Sequence, residues 1–94
     1  MARLIKTDGT ETIVHPKGKM WTLSELQTMV GGYIEFMPGI SPTRMVMNEE
    51  GNIKGQSLNI RATKIVTELL KGKNLRYQPH IRGDVLILDP HEKV

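Results

Sequence analysis

The chain has 94 residues, no cysteine and a formal net charge of +3; that length supports one modest core, so a single domain over residues 1–94 is expected. The missing thiols exclude disulfides, thiolate metal sites and a cysteine nucleophile, and the small cationic excess argues against nucleic acid as the partner while permitting an anionic ligand. Hydrophobic residues at 38% against 24% charged give a globular balance, no apolar run approaches the ~20 residues of a membrane span, and a cytoplasmic protein with no membrane contact is expected.

Residues 3–7 and 10–14 flank Asp8-Gly9, a pair favoured in two-residue hairpin turns because both positions tolerate positive φ. The register this turn predicts sets Lys6 opposite Glu11 and Leu4 opposite Ile13, a charge pair and an apolar pair contributing about 0.2–1 kcal/mol each. A basic loop follows at residues 16–19. Thr22 with Glu25 then spells a capping box, and Leu23, Leu26, Met29 and Val30 recur at helical spacing. Gly31-Gly32 ends that helix and turns it into a strand over residues 33–37.

Pro38 and Pro42 separate this strand from extended residues 43–47, and the two are expected to pair antiparallel. A polar turn centred on Gly51 comes next. The spacing predicts a second helix over residues 58–71, with Asn59 as N-cap, Gly72 as the stop, and Leu58, Ala62, Ile65, Val66 and Leu69 on its apolar face. Residues 85–88, Val-Leu-Ile-Leu, read as a strand buried on both faces. The predicted class is α+β, a mostly antiparallel sheet with two helices in the order ββ-α-ββ-α-β. The expected packing sets both helices on one face with the last strand central. A second copy then covers the far face or an edge, and the abundant methionines give such a homo-oligomer an adaptable interface.

Leu26-Gln27, residues 30–35 (VGGYIE), residues 46–51 (VMNEEG), Lys54-Gly55, Leu58-Asn59, Ala62-Thr63 and residues 83–86 (GDVL) occur in that order. Together they resemble a small family of unknown function common in bacteriophages, mobile elements and their hosts, over residues 23–88. The resemblance implies a genetic setting and a compact fold, with no catalytic residues attached. Small phage proteins of this size often bind a host protein or trap a host signalling nucleotide, an analogy of setting.

Two stretches are candidates for an anion site. Lys54, Gly55, Ser57 and Asn59 lead into the second helix, where free amides and the dipole favour a phosphate; the plainer reading is that the glycines turn the chain and Asn59 caps it. Lys71, Lys73, Arg76, His80 and Arg82, with Tyr77 among them, form the densest positive stretch. Cations there can neutralise phosphate and a tyrosine can stack on a base, or they are a solvated loop. Arg61 and Lys64 lie on the helix that links these stretches. Tyr33 offers a second stacking ring, and Asn48 and Asn59 offer directional hydrogen bonds.

The acids Glu35, Glu49, Glu50 and Asp84 show no convincing acid–base spacing, the three histidines no metal-ligand spacing and the serines no nucleophile-elbow context. No enzyme activity, metal or cofactor is therefore expected. The predicted function is capture of a small anionic ligand, a nucleotide being the leading case, by Tyr33, Asn48, Lys54, Asn59, Arg61, Lys64, Arg76, Tyr77 and Arg82. The alternative is an inhibitor or adaptor that binds a host protein through a methionine-rich surface and an open sheet edge.

Overall fold

The apolar run near the end of the chain forms the middle of the structure. In the computed structural model, which describes residues 1–50, 55–72 and 79–94, it is strand β5, Val85–Leu88. Before it come β1 (Ala2–Ile5), β2 (Glu11–Val14), α1 (Leu23–Val30), β3 (Ile34–Phe36), β4 (Arg44–Asn48) and α2 (Ile60–Leu69). The strands make one antiparallel sheet in the order β2-β1-β5-β4-β3. The expected class and element order are both present, with β5 central.

Period-two alternation along β5 divides the interior into two cores. Val85 and Ile87 pack with Ile5, Met45, Ala62, Val66 and Leu70. Leu86 and Leu88 pack with Ala2, Trp21, Leu26, Val30 and Val46. The helices therefore lie on opposite faces of the sheet, which corrects the expectation that both share one face. The reason is in β5 itself: four consecutive apolar residues, all buried, need cover on both sides. The face assigned to a second copy is occupied by α1. Most methionines turn inward too, with Met45 buried and Met29, Met37 and Met47 packed against the cores.

The opening hairpin forms with a different turn. Gly9 N–H donates to the Lys6 carbonyl at 3.0 Å, Lys6 N–H donates to the Thr10 carbonyl at 2.9 Å, and Gly9 has φ 91°. This is a three-residue loop closed by a left-handed glycine. The extra loop residue shifts the register by one, so Ile5 faces Glu11 and Arg3 faces Ile13, in place of the expected Lys6–Glu11 and Leu4–Ile13 pairs. Asp8 still shapes the turn, accepting from the Thr10 amide and hydroxyl at 2.9 and 2.6 Å.

The Thr22–Glu25 capping box closes α1 at its start, and Gly31, at φ 80° and ψ 25°, ends it with its N–H bonded to the Gln27 carbonyl at 2.8 Å. The left-handed residue of the glycine pair is Gly31. Asn59 caps α2, accepting from the Ala62 amide at 3.0 Å. Of the expected face Ala62 and Val66 are buried and Ile65 packs against the core, while Leu58 and Leu69 are exposed and Leu70, just past the helix, is buried. At ~100° per residue Leu69 lies within the arc spanned by Ile65, Ala62, Val66 and Leu70, so its exposure is not a matter of helix phase.

Candidate functional site

The site is built where the β3–β4 ladder meets the segment that enters β5. Odd-numbered residues of β3 share a face with odd-numbered residues of β4, since Glu35 is opposite Met47 and the ladder runs on through an amide–carbonyl bond from Glu49 to Tyr33 at 3.0 Å. That face is the α2 side, because Met37 and Met47 pack against the α2 core. Residues 79–82 stand over it. They are strapped to α2 by an Asn59 N–H to Ile81 carbonyl bond of 2.7 Å and an Ile81 N–H to Thr63 hydroxyl bond of 3.0 Å.

Between floor and wall is a cavity of about 230 Å³, lined by Glu35, Met37, Pro38, Met47, Asn48 and Glu49 below and by Pro79, His80, Ile81 and Arg82 above. The Arg82 guanidinium is half-buried and donates to the Gln56 carbonyl at 3.1 Å. Among the described residues no ion pair engages Arg82, Glu35 or Glu49. The lining thus carries two acidic residues, Glu35 on β3 and Glu49 just past β4, and two basic ones, His80 and Arg82, in the segment opposite.

The residues singled out from sequence do not all meet there. Asn48 and Arg82 line the cavity, although the Asn48 side chain is held by the Val30 carbonyl at 3.2 Å and the Glu50 amide at 2.8 Å. Tyr33 is 64% exposed and borders a separate depression with Ser24, Gln27 and Thr28. Asn59 is fully buried, donating to the Ile5 and Gly83 carbonyls at 2.9 Å each besides capping α2; its side chain belongs to the scaffold. Arg61 pairs with Glu11 at 2.5 Å, and Arg3 pairs with the same carboxylate at 2.7 Å. The Arg61 hydrogen bond to Glu11, helped by that of Arg3, holds that carboxyl below the usual glutamate value against the opposing effect of burial. Lys64 is exposed on α2. Lys54, Arg76 and Tyr77 lie outside the described residues.

From sequence, Glu35 and Glu49 show no acid–base spacing and His80 stands in the basic stretch; all three are exposed residues that line the cavity. The signal for Glu35 was its period-two partnership with Met37, which places a carboxylate and an apolar side chain on one face. The meeting of β3 with residues 79–82, 40 and more positions away, has no local signature. Among the described residues no three His, Asp or Glu side chains are grouped to hold a metal ion.

A second polar cluster has a structural task. The Trp21 indole donates to Glu92 Oε2 at 2.6 Å, Asp89 N–H donates to Glu92 Oε1 at 2.9 Å, and the Met1 ammonium lies 3.3 Å from that carboxylate. Arg44 donates to the Asp89 carbonyl at 2.8 Å and to the Glu92 carbonyl. Burial pushes the Glu92 carboxyl up, but these donors outweigh it and leave it below its ordinary value.

Residues 2–93 match a family described as a domain of unknown function (DUF3846), and the chain belongs to that family. No curated protein and no solved structure matches the chain.

Proposed function

We propose that this member of the family is a non-enzymatic binding module that captures a small phosphate-bearing ligand, such as a signalling nucleotide, in the cavity between β3–β4 and residues 79–82. The observation that carries the reading is Arg82: a half-buried guanidinium held in place by the Gln56 carbonyl, at a cavity wall, with no carboxylate paired to it among the described residues. A planar fork presented this way suits phosphate oxygens. We place the protein in a phage or mobile-element setting, in the host cytoplasm, where trapping such a ligand would blunt a defence signal.

A thermal-shift series with inorganic phosphate and nucleoside monophosphates, di- and cyclic nucleotides tests this, because a ligand bound only by the folded chain raises Tm by mass action. Arg82→Ala is expected to weaken binding by ~10–100-fold, the effect of about 1.5–3 kcal/mol for a lost charge-assisted bond. Arg61→Ala is expected to leave affinity unchanged, because its guanidinium is engaged by Glu11. If no phosphate compound shifts Tm, the reading falls.

One observation favours a second reading, in which the protein inhibits or adapts a host protein. β3 ends the sheet, and Met37 N–H bonds to the Met45 carbonyl while Tyr33 accepts from Glu49; by antiparallel alternation Ile34 and Phe36 turn their backbone groups to the open edge. Phe36 is 43% exposed there. An extended partner segment, or a second copy forming a homo-oligomer, would find both hydrogen bonds and an aromatic surface on this edge. Pull-down from host lysate returning one partner, with no nucleotide shift, would select it.

A further inference from the structure

We infer that the ligand captured in this cavity is a guanine nucleotide, its phosphate on Arg82 and its base edge on Glu35; this rests on the reading of the cavity as a nucleotide site. The cavity is bipolar. Arg82 and His80 belong to the wall, while Glu35 and Glu49 belong to the floor, where Met37 and Met47 neighbour Glu35. A site for phosphate alone has no use for carboxylates, which repel it. Their presence suits an occupant that is anionic at one end and a hydrogen-bond donor at the other.

A carboxylate is an acceptor with two oxygens side by side. Its complement is a pair of adjacent N–H donors, and among the common bases only guanine has one, in its N1–H and 2-amino groups. Adenine and cytosine each set an amino donor beside a ring nitrogen that is itself an acceptor, and uracil flanks its single N–H with two carbonyls. Each of these would bring an acceptor against a Glu35 oxygen. Glu35 is better placed than Glu49 for this task, because it lies inside β3 with its backbone fixed in the ladder opposite Met47. The two methionines supply a polarizable apolar surface for the flat face of the ring. The volume of about 230 Å³ is below the ~300–1,000 Å³ of sites that enclose drug-sized molecules. It accommodates a base with part of its sugar and excludes burial of a whole dinucleotide.

Calorimetric titration with guanosine, inosine, adenosine, cytidine and uridine monophosphates, and with inorganic phosphate, tests the assignment. Guanosine monophosphate is expected to bind at least tenfold more tightly than the adenosine compound, and inosine monophosphate, which lacks the 2-amino group, to fall between them. Glu35→Gln, at an exposed position, is expected to fold normally and to abolish that preference, since its amide would present a donor or a single acceptor, while inorganic phosphate binds no more weakly than before, because a repelling carboxylate is removed. Arg82→Ala is expected to weaken every nucleotide alike. Equal affinity for all bases, or a preference that survives Glu35→Gln, overturns the guanine assignment and leaves the nucleotide site standing. No binding by any compound overturns both.

Discussion

Asn59 ties three parts of the fold through one side-chain amide: the end of β1 at Ile5, the approach to β5 at Gly83 and the start of α2 at Ala62. Replacing it with alanine removes a helix cap, about 0.5–2 kcal/mol, and leaves two carbonyls without donors in a dry site, about 1–3 kcal/mol each before relaxation. Asn59→Ala is expected to lower stability by roughly 2–4 kcal/mol in urea unfolding. A loss under about 1 kcal/mol would mean water replaces the amide. Gly83 is a second sensitive residue, with φ 79° and a site for a Cβ only 2.2 Å from Gln56 Oε1. That oxygen is buried with no partner among the described residues. Gly9 has φ 91° and open space around it, so Gly9→Ala should cost only the ~1–2 kcal/mol of the left-handed conformation. Gly83→Ala should cost more, and Gln56→Ala in the same chain should recover the difference. Equal losses for the two glycines would show that Gln56 moves freely aside.

At the end of α2 it is Leu70, the C-cap residue, and not Leu69 that closes the core. Leu70 is 6% exposed and Leu69 37%. Leu70→Ala is therefore expected to cost about 2–5 kcal/mol, the range for emptying a buried leucine site, and Leu69→Ala much less. Comparable losses at both positions would contradict the observed difference in burial. A single-step displacement explains the opening hairpin. Its strands were legible from Asp8-Gly9 and the flanking residues, but a two-residue and a three-residue loop use the same dipeptide, and one residue of difference moves every cross-strand pair. Glu11 is freed by that shift from Lys6 and joined instead to Arg3 and Arg61, so a cation expected at a ligand site is engaged in holding β2 to α2.

At the scale of the whole molecule, acid should loosen both ends of the sheet. Hydrogen bonding to Arg61 and Arg3 lowers the Glu11 carboxyl despite some burial. At Glu92 burial works against ionisation, and the Asp89 amide, the Trp21 indole and the amino terminus prevail. Both groups therefore titrate lower in the folded chain than in the unfolded one, and in acid the unfolded state binds more protons. Their contribution is complete above the ordinary glutamate value of about 4.5 and is lost as pH falls from there through the folded values. Urea midpoints are expected to drop between pH 7 and pH 3.5. Glu92→Gln should be less stable than the parent at pH 7 and should show a smaller drop. A drop as large in Glu92→Gln would assign the acid sensitivity elsewhere.

The sequence by itself determined the elements and their class, because those depend on short-range physics: the Thr22–Glu25 box, the Asn59 cap, the glycine at the end of α1 and the unbroken apolar run of β5 each act within a few residues. It also held the argument for cover on both faces of β5, which the one-face expectation did not follow through. What only the tertiary structure decided is which side chains meet. Arg61 was drawn to Glu11, Asn59 was buried as a scaffold bond, and Glu35 and Arg82 were brought to the lining of one cavity. Those encounters join residues about 45–55 positions apart, and their partners are chosen by strand register and helix rotation. A one-residue change in either redirects every side chain on a strand or turns a helical position by ~100°, a difference too small for periodicity to resolve and large enough to decide where the charges of a binding site stand.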